Sequence, residues 1–251
     1  MQLDNYYYWF KSIITKEDCN RIIELGEAEL AKNKKNGRST NASTAGNMSK
    51  QDIVEGKPLE DKPLSEALKT SNESNLYIRD STIAWLNDQW LYDLIVPHIH
   101  KANLLSGWNW EIDSYESFQF TKYSEGQFYG WHNDGRSDTP YKRYIHGVTP
   151  VPLNKDGRVP YGYVRDSNMV GKIRKISMTL NLCETGLYDG GMLKFDFGHH
   201  RAEEFRFHEC KEIDQQGSMI VFPSFLQHCV TPVTKGTRYS LVLWSLGAPW
   251  K

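Results

Sequence analysis

No stretch of this sequence has the roughly 18 consecutive apolar residues that a membrane-crossing helix requires. The start, MQLDNYYYWF, lacks the basic region followed by an apolar core of a secretory leader. The expectation is a soluble, cytoplasmic protein. An excess of charge is missing as well. With 30 basic and 31 acidic residues the net charge is −1, so no overall basic field exists to hold a nucleic-acid backbone or an anionic membrane. Nucleic acid is therefore a disfavoured partner, and a membrane is not expected as one. Cysteine is scarce and scattered: Cys19, Cys183, Cys210 and Cys229 show no C-x-x-C spacing. That argues against a disulfide framework and a cysteine zinc site, and predicts free thiols in a reducing compartment. Internal repeats and low-complexity tracts are absent, and no composition break forces a second domain within 251 residues. A single domain over 1–251 is expected.

What is present leans toward sheet. Hydrophobic residues make up 39% and aromatics 13% of the chain, enough for a core, and wide aromatic side chains suit strands. The first 107 residues read as helical support. Thr15 with Asp18 resembles a capping box, and Cys19, Ile22, Ile23, Gly26 and Leu30 follow at helical spacing, which predicts a helix over 15–33. A polar Ser/Asn/Gly-rich segment over 33–62 reads as a flexible loop. A second helix is expected over 88–105, apolar at Leu91, Leu94, Ile95 and Ile99 and kinked at Pro97. Tyr6, Tyr7, Tyr8 and Trp9 suggest a packing strand at the N-terminus.

From 108 to 246 the pattern becomes short β-type runs: WNWEI, SFQFTKY, KISMTLNLC, GGMLKFDF, EEFRFHEC, SMIVF and TRYSLVLW. Their spacing suggests a sandwich or barrel. A polar insertion over 135–171 interrupts them. It carries Arg136, Lys142, Arg143, Arg158 and Arg165 with Tyr141, Tyr144, Tyr161 and Tyr163.

Chemistry concentrates in the same half. In YGWHNDG, His132 and Asp134 stand two apart, so on extended chain they point to one side and offer an imidazole and a carboxylate to one ion. His228 near a later strand start completes a two-histidine, one-carboxylate set, the facial triad of non-haem Fe(II) oxygenases. The period of two supplies an independent signal. In TRYSLVLW it puts Arg238, Ser240, Val242 and Trp244 on one face, against Tyr239, Leu241 and Leu243. Gln119, Thr121 and Tyr123 likewise oppose Phe118, Phe120 and Lys122, and Ser177, Thr179 and Asn181 oppose Met178, Leu180 and Leu182. Three strands thus present a polar inner and an apolar outer face. A buried Arg238 needs an anionic partner that matches its fork, and no acid lies nearby in sequence.

Tyr123, Gly126, Tyr129, His132 and Asp134 form Y-x-x-G-x-x-Y-x-x-H-x-D, followed by Gly190-Gly191, His228, Gly236, Arg238 and Trp244. In that order the chain resembles the prolyl 4-hydroxylase-like branch of the Fe(II)/2-oxoglutarate-dependent dioxygenases, over about 108–246. The resemblance implies a mainly β fold with flanking helices, built on a double-stranded β-helix, or jelly-roll barrel. It implies Fe(II) held by His132, Asp134 and His228, with 2-oxoglutarate bound by Arg238 and Tyr123. Ser240 and one of Ser177 or Thr179 are implied helpers. Fe²⁺ with one carboxylate and Arg238 balances the dianionic cosubstrate in charge. The implied reaction consumes O2, releases succinate and CO2 and hydroxylates a C–H bond; ascorbate is a possible further cofactor.

The substrate stays open between a peptidyl proline, another peptide or protein, a small molecule and a nucleic-acid base. Asp134 argues against a halogenase, the intact triad with Arg238 counts against a non-catalytic jelly-roll binding module, and a metal hydrolase needs no 2-oxoglutarate and leaves Arg238 without a use. The insertion over 135–171 leaves the chain directly after His132 and Asp134, so it is expected to serve as a lid, with 33–62 as a second wall. Trp244 fits either a pocket wall or the core. His199 and His200 with Glu203 and Glu204 read as a solvated turn, and His98 and His100, two apart in a helix, do not face one another. The sequence gives no oligomeric state.

Overall fold

Helix α1 (Lys16–Lys35) starts where the capping residue stands: the Thr15 hydroxyl accepts from the Asp18 amide at 3.1 Å and donates to the Asp18 carboxylate at 2.9 Å. This satisfies an amide that the first turn leaves without a helical partner. The computed structural model describes residues 3, 5–38, 40–42, 79–135, 140–143, 163–164, 166–198 and 201–250. Most of the expected loop over 33–62 and most of the expected lid over 135–171, including Arg136, Tyr144, Arg158, Tyr161 and Arg165, lie outside these residues. So do His199 and His200.

Two sheets carry the fold. The larger has seven strands: β1 (Tyr8–Phe10), β13 (Met219–Pro223), β9 (Ile173–Asn181), β16 (Arg238–Gly247), β5 (Phe118–Tyr123) and β3 (Thr82–Leu86) in that order, with β4 (Ser114–Tyr115) also on β16. The smaller has five in the order β12 (Phe207–Glu209), β11 (Leu193–Asp196), β14 (Gln227–Val230), β6 (Phe128–His132) and β2 (Arg79–Asp80). Two short pairs complete the described sheets: β10 (Tyr188–Gly190) with β15 (Val233–Gly236), and, parallel, β7 (Lys142–Arg143) with β8 (Tyr163–Val164). The two large sheets face each other as a jelly roll, and no closed barrel forms among the described residues.

The alternation read from the sequence decides which face meets what. Phe118, Phe120, Met178, Leu180, Leu182, Leu241 and Leu243 form one buried cluster with Cys19, Ile22 and Leu30 of α1 and with Leu91, Ile95, Ile99 and Ala102 of α2 (Gln89–Leu105). The helices therefore back the large sheet and leave its other face to the cleft. Gly26 permits the close approach of α1, since a Cβ there would run into the Phe120 ring. Helix α2 runs unbroken through Pro97.

Several expectations change. WNWEI is not a strand: Asn109 sits at φ 51°, and the Asn103 side chain takes both backbone groups of Trp110, donating to its carbonyl at 2.9 Å and accepting from its amide at 3.1 Å. A strand neighbour has nothing left to pair with. EEFRFHEC is a strand only over Phe207–Glu209, preceded by one helical turn, α3 (Glu203–Arg206). Arg206 is pinned there by two bonds to Asp196, at 2.9 and 2.7 Å. The N-terminal packing strand expected around Tyr6–Trp9 is β1, and the first 107 residues supply strands β2 and β3 as well, not helices alone. All four cysteines are free and buried, and among the described residues no helix is long and apolar enough to cross a membrane.

Candidate active site

Strand pairing makes the centre of the site. His132 ends β6 and His228 lies directly across from it on β14, so the two imidazoles enter the same space with ring centroids 4.1 Å apart. Asp134 follows just past the strand end. Its amide and that of Gly135 both donate to the Ser224 carbonyl at 2.9 Å. Arg174 Nη1 donates to the Asp134 carbonyl at 3.0 Å, and a Cβ on Gly135 would stand 2.8 Å from Arg174 Cβ, so glycine keeps this junction tight.

Arg174 is itself fixed. Nε and Nη2 reach the two Glu116 carboxylate oxygens at 2.5 and 2.6 Å, the guanidinium lies 3.9 Å from the Trp244 ring centre, and Tyr141 donates to Glu116 at 3.0 Å. A two-pronged ion pair stacked on an aromatic ring is the rigid use of arginine. It anchors the backbone that carries Asp134.

The histidines are oriented by the chain. His132 Nδ1 lies 2.8 Å from the Gly130 carbonyl and His228 Nδ1 lies 2.9 Å from the Leu226 carbonyl. A carbonyl can only accept, so both Nδ1 atoms carry the proton and both Nε2 atoms are left as bases. Those Nε2 atoms each stand 3.5 Å from a different Asp134 oxygen, and the three ligand atoms lie within 4.8 Å of one another. Burial alone would raise the Asp134 carboxyl, but His228, His132 and Arg174 hold it well below the usual carboxylate range. Burial, with His132 beside it, pushes His228 down to about 4. Carboxylate and imidazole are thus both in the deprotonated forms that a metal takes, and this donor set is one that Fe(II) accepts. Among the described residues it is the one such cluster.

A cleft of about 430 Å³ opens between the sheets around these groups. Tyr123, Thr179, Arg238, Ser240 and Trp244 line it from the large sheet. Arg238 is 2% exposed. Its Nη1 donates to Ser240 Oγ at 3.3 Å, its Nε has no hydrogen-bond partner among the described residues, and the guanidinium stands 5.5 Å from the Tyr123 ring centre. Gly191, at φ 60°, makes room: a Cβ there would come within 2.8 Å of Arg238 Cδ. Thr179 faces the cleft, whereas Ser177 turns away to bond Ser224 at 2.9 Å.

The structure therefore brings His132, Asp134, His228, Arg238, Tyr123, Ser240, Thr179 and Trp244 to one cleft. His98 and His100 stay outside it, His98 against Phe10 and His100 bonded to Tyr115 at 2.7 Å. Glu116, Arg174, Ser224 and Arg79 were not found by sequence reasoning. For Glu116 and Arg174 the signal was faint: Arg174 is a charged residue near the start of an otherwise buried strand, and Glu116 lies between two strands.

Two opposed sheets holding two histidines and one carboxylate define a double-stranded β-helix with the ligand set of non-haem iron oxygenases. Residues 118–246 match the family model of the 2OG-Fe(II) oxygenase superfamily, and the chain belongs to that superfamily. Among curated relatives, a PKHD-type hydroxylase of Synechococcus sp. (strain CC9605) is 29% identical over 128 residues, covering 51% of this chain and 40% of the relative. The PKHD-type hydroxylase YbiX of Shigella sonnei is 30% identical over 127 residues, 50% of this chain and 40% of the relative. The matched region thus spans well under half the length of these relatives. Among solved structures, a Pseudomonas putida prolyl-4-hydroxylase superposes with a TM-score of 0.51 at 18% identity, covering 96% of this chain and 93% of that one. A Trichoplax adhaerens prolyl hydroxylase in complex with a hypoxia inducible factor peptide fragment gives 0.52 at 14% identity, over 96% and 84%. These likenesses concern the fold.

Proposed function

We propose that this protein is an Fe(II)- and 2-oxoglutarate-dependent hydroxylase that uses O2 to hydroxylate a C–H bond and releases succinate and CO2. The reading rests above all on one observation: the Nε2 atoms of His132 and His228 converge on the Asp134 carboxylate in the same cleft as a buried arginine with no carboxylate partner among the described residues. His132, Asp134 and His228 would hold the iron. Arg238, with Ser240, Tyr123 and Thr179 around it, would hold the distal carboxylate of 2-oxoglutarate. The metal supplies the oxygen chemistry when bound.

The residues of the chain do the positioning. Gly130 and Leu226 carbonyls fix the imidazole tautomers, Ser224 and Arg174 fix the Asp134 backbone, and Trp244 walls the cleft. A proline in a peptide is the substrate that the names of the structural neighbours support. The neighbour solved with a peptide bound supports a peptide or small-molecule partner.

Succinate formation from 2-oxoglutarate under Fe(II) and O2, measured with and without proline-containing peptides, tests the reading. His132→Ala should lose metal in equilibrium dialysis and lose succinate formation together. Normal turnover by that variant at limiting iron would overturn it.

A further inference from the structure

The cleft holds a second buried guanidinium. Arg79 is 6% exposed and lines the same cleft as the triad and Arg238. It comes from β2, opposite Tyr129 on β6. Nε donates to Ser81 Oγ at 2.8 Å and Nη2 to Gln119 Oε1 at 2.7 Å. Both partners are neutral. Among the described residues no hydrogen bond engages Nη1 and no carboxylate pairs with Arg79. The guanidinium lies 4.3 Å from the Tyr129 ring centre, and that ring stacks on His132 at 3.4 Å between centroids. Arg79 is therefore one aromatic ring away from the metal ligands.

Charge makes the arrangement informative. A divalent ion, Asp134 and Arg238 already match the two negative charges of 2-oxoglutarate. Arg79 adds a positive charge that neither a carboxylate among the described residues nor the cosubstrate balances, in a place where burying an unpaired charge is costly. Arginine cannot shed that charge. Neutral partners on two of its nitrogens also hold the fork in one orientation, with its remaining nitrogen unclaimed among the described residues, so little freedom is lost when an anion arrives.

We propose that Arg79 binds a carboxylate of the primary substrate, so that the enzyme takes substrates carrying a carboxylate close to the carbon that is hydroxylated. This deepens the hydroxylase reading and rests on it. The source of the carboxylate, a free amino acid or the end of a peptide, shares one chemistry.

The test loads the protein with Mn(II) and saturating 2-oxoglutarate without O2, and reads paramagnetic relaxation of the methyl protons of acetate, with acetamide as the neutral control. Acetate should be relaxed more strongly than acetamide. Arg79→Gln should weaken acetate binding about tenfold or more while 2-oxoglutarate still binds. Arg79→Lys, which keeps the charge, should recover part of the acetate effect. L-Proline and N-acetyl-L-proline in the same assay separate the two sources, and an Arg79-dependent enhancement with either supports the assignment.

Equal acetate relaxation in wild type and Arg79→Gln, equal effects of acetate and acetamide, or no recovery with lysine would each overturn it. So would loss of 2-oxoglutarate binding in both Arg79 variants with Arg238 intact, which would make Arg79 a cosubstrate ligand. If wild-type protein with Mn(II) fails to bind 2-oxoglutarate at all, the hydroxylase reading itself fails and the inference falls with it.

Discussion

Arg174 and Arg238 stand on neighbouring strands of one sheet and live under opposite conditions. Arg174 has both Glu116 oxygens, a backbone carbonyl and the Trp244 ring. Arg238, on the strand beside it, is more deeply buried and has a serine hydroxyl, an aromatic ring and a nitrogen with no hydrogen-bond partner among the described residues. The compensated cation is part of the frame, and the uncompensated one is the group to which the proposed reading gives the distal carboxylate of the cosubstrate. Burial alone does not separate these roles, but the inventory of partners does.

The sharpest way to break the comparison is to remove each arginine and read stability and ligand binding separately. Arg174→Leu leaves Glu116 buried without its cation, which should cost about 3–5 kcal/mol. Chemical denaturation would show this, and a loss below about 1 kcal/mol would put Arg174 in the same class as Arg238. Arg238→Ala should leave the denaturation midpoint far less affected. It should instead weaken 2-oxoglutarate by about 2–5 kcal/mol, roughly 30- to 5,000-fold. Calorimetry with Mn(II) in place of iron would check it, and unchanged affinity would sink the receptor assignment.

A third cation marks the low end of the scale. Lys122 pairs with Glu27 at 2.6 Å between the large sheet and α1, but both side chains are about a third exposed. Lys122→Met should cost less than about 1 kcal/mol; a loss comparable to that of Arg174→Leu would show that solvent screening is not what distinguishes them.

The smallest effect belongs to a group that, unlike arginine, can give up its charge. Burial, with Lys101 nearby, lowers the pKa of His98. The unfolded chain therefore takes up a proton at this site before the native protein does as pH falls. The stabilisation is complete above the ordinary histidine value and fades as pH drops through the lowered one. Denaturation measured between pH 7 and 5 should give a slightly flatter pH dependence for His98→Gln than for wild type; an unchanged slope would remove His98 from the account.

The legible parts of the site were those set by short-range periodicity. Two-residue spacing gave His132 with Asp134, and it sorted Arg238, Ser240 and Trp244 from Tyr239, Leu241 and Leu243, as the cleft and the helix-backed core bear out. Helix α1 was legible through its cap and apolar stripe. What could not be read depends on chain segments meeting across the fold. Glu116 and Arg174 are 58 residues apart, and nothing local around either residue says that they pair. Arg79 sits on a strand of two residues, too short for a period, and its position over Tyr129 is a property of cross-strand pairing. WNWEI misled for the same reason, because Asn103 reaches in from the helix before it.

Cys229 directly follows His228, which lines the cleft proposed as a site of oxygen chemistry. Strand alternation turns its sulfur to the other side of β14, against Trp131, and burial pushes the thiol up to about 12. The thiolate is the readily oxidised form, and burial keeps this thiol protonated at neutral pH. The same pleat that turns the His228 imidazole into the cleft thus turns the neighbouring sulfur out of it. Peptide mapping after prolonged uncoupled turnover should find Cys229 still reduced.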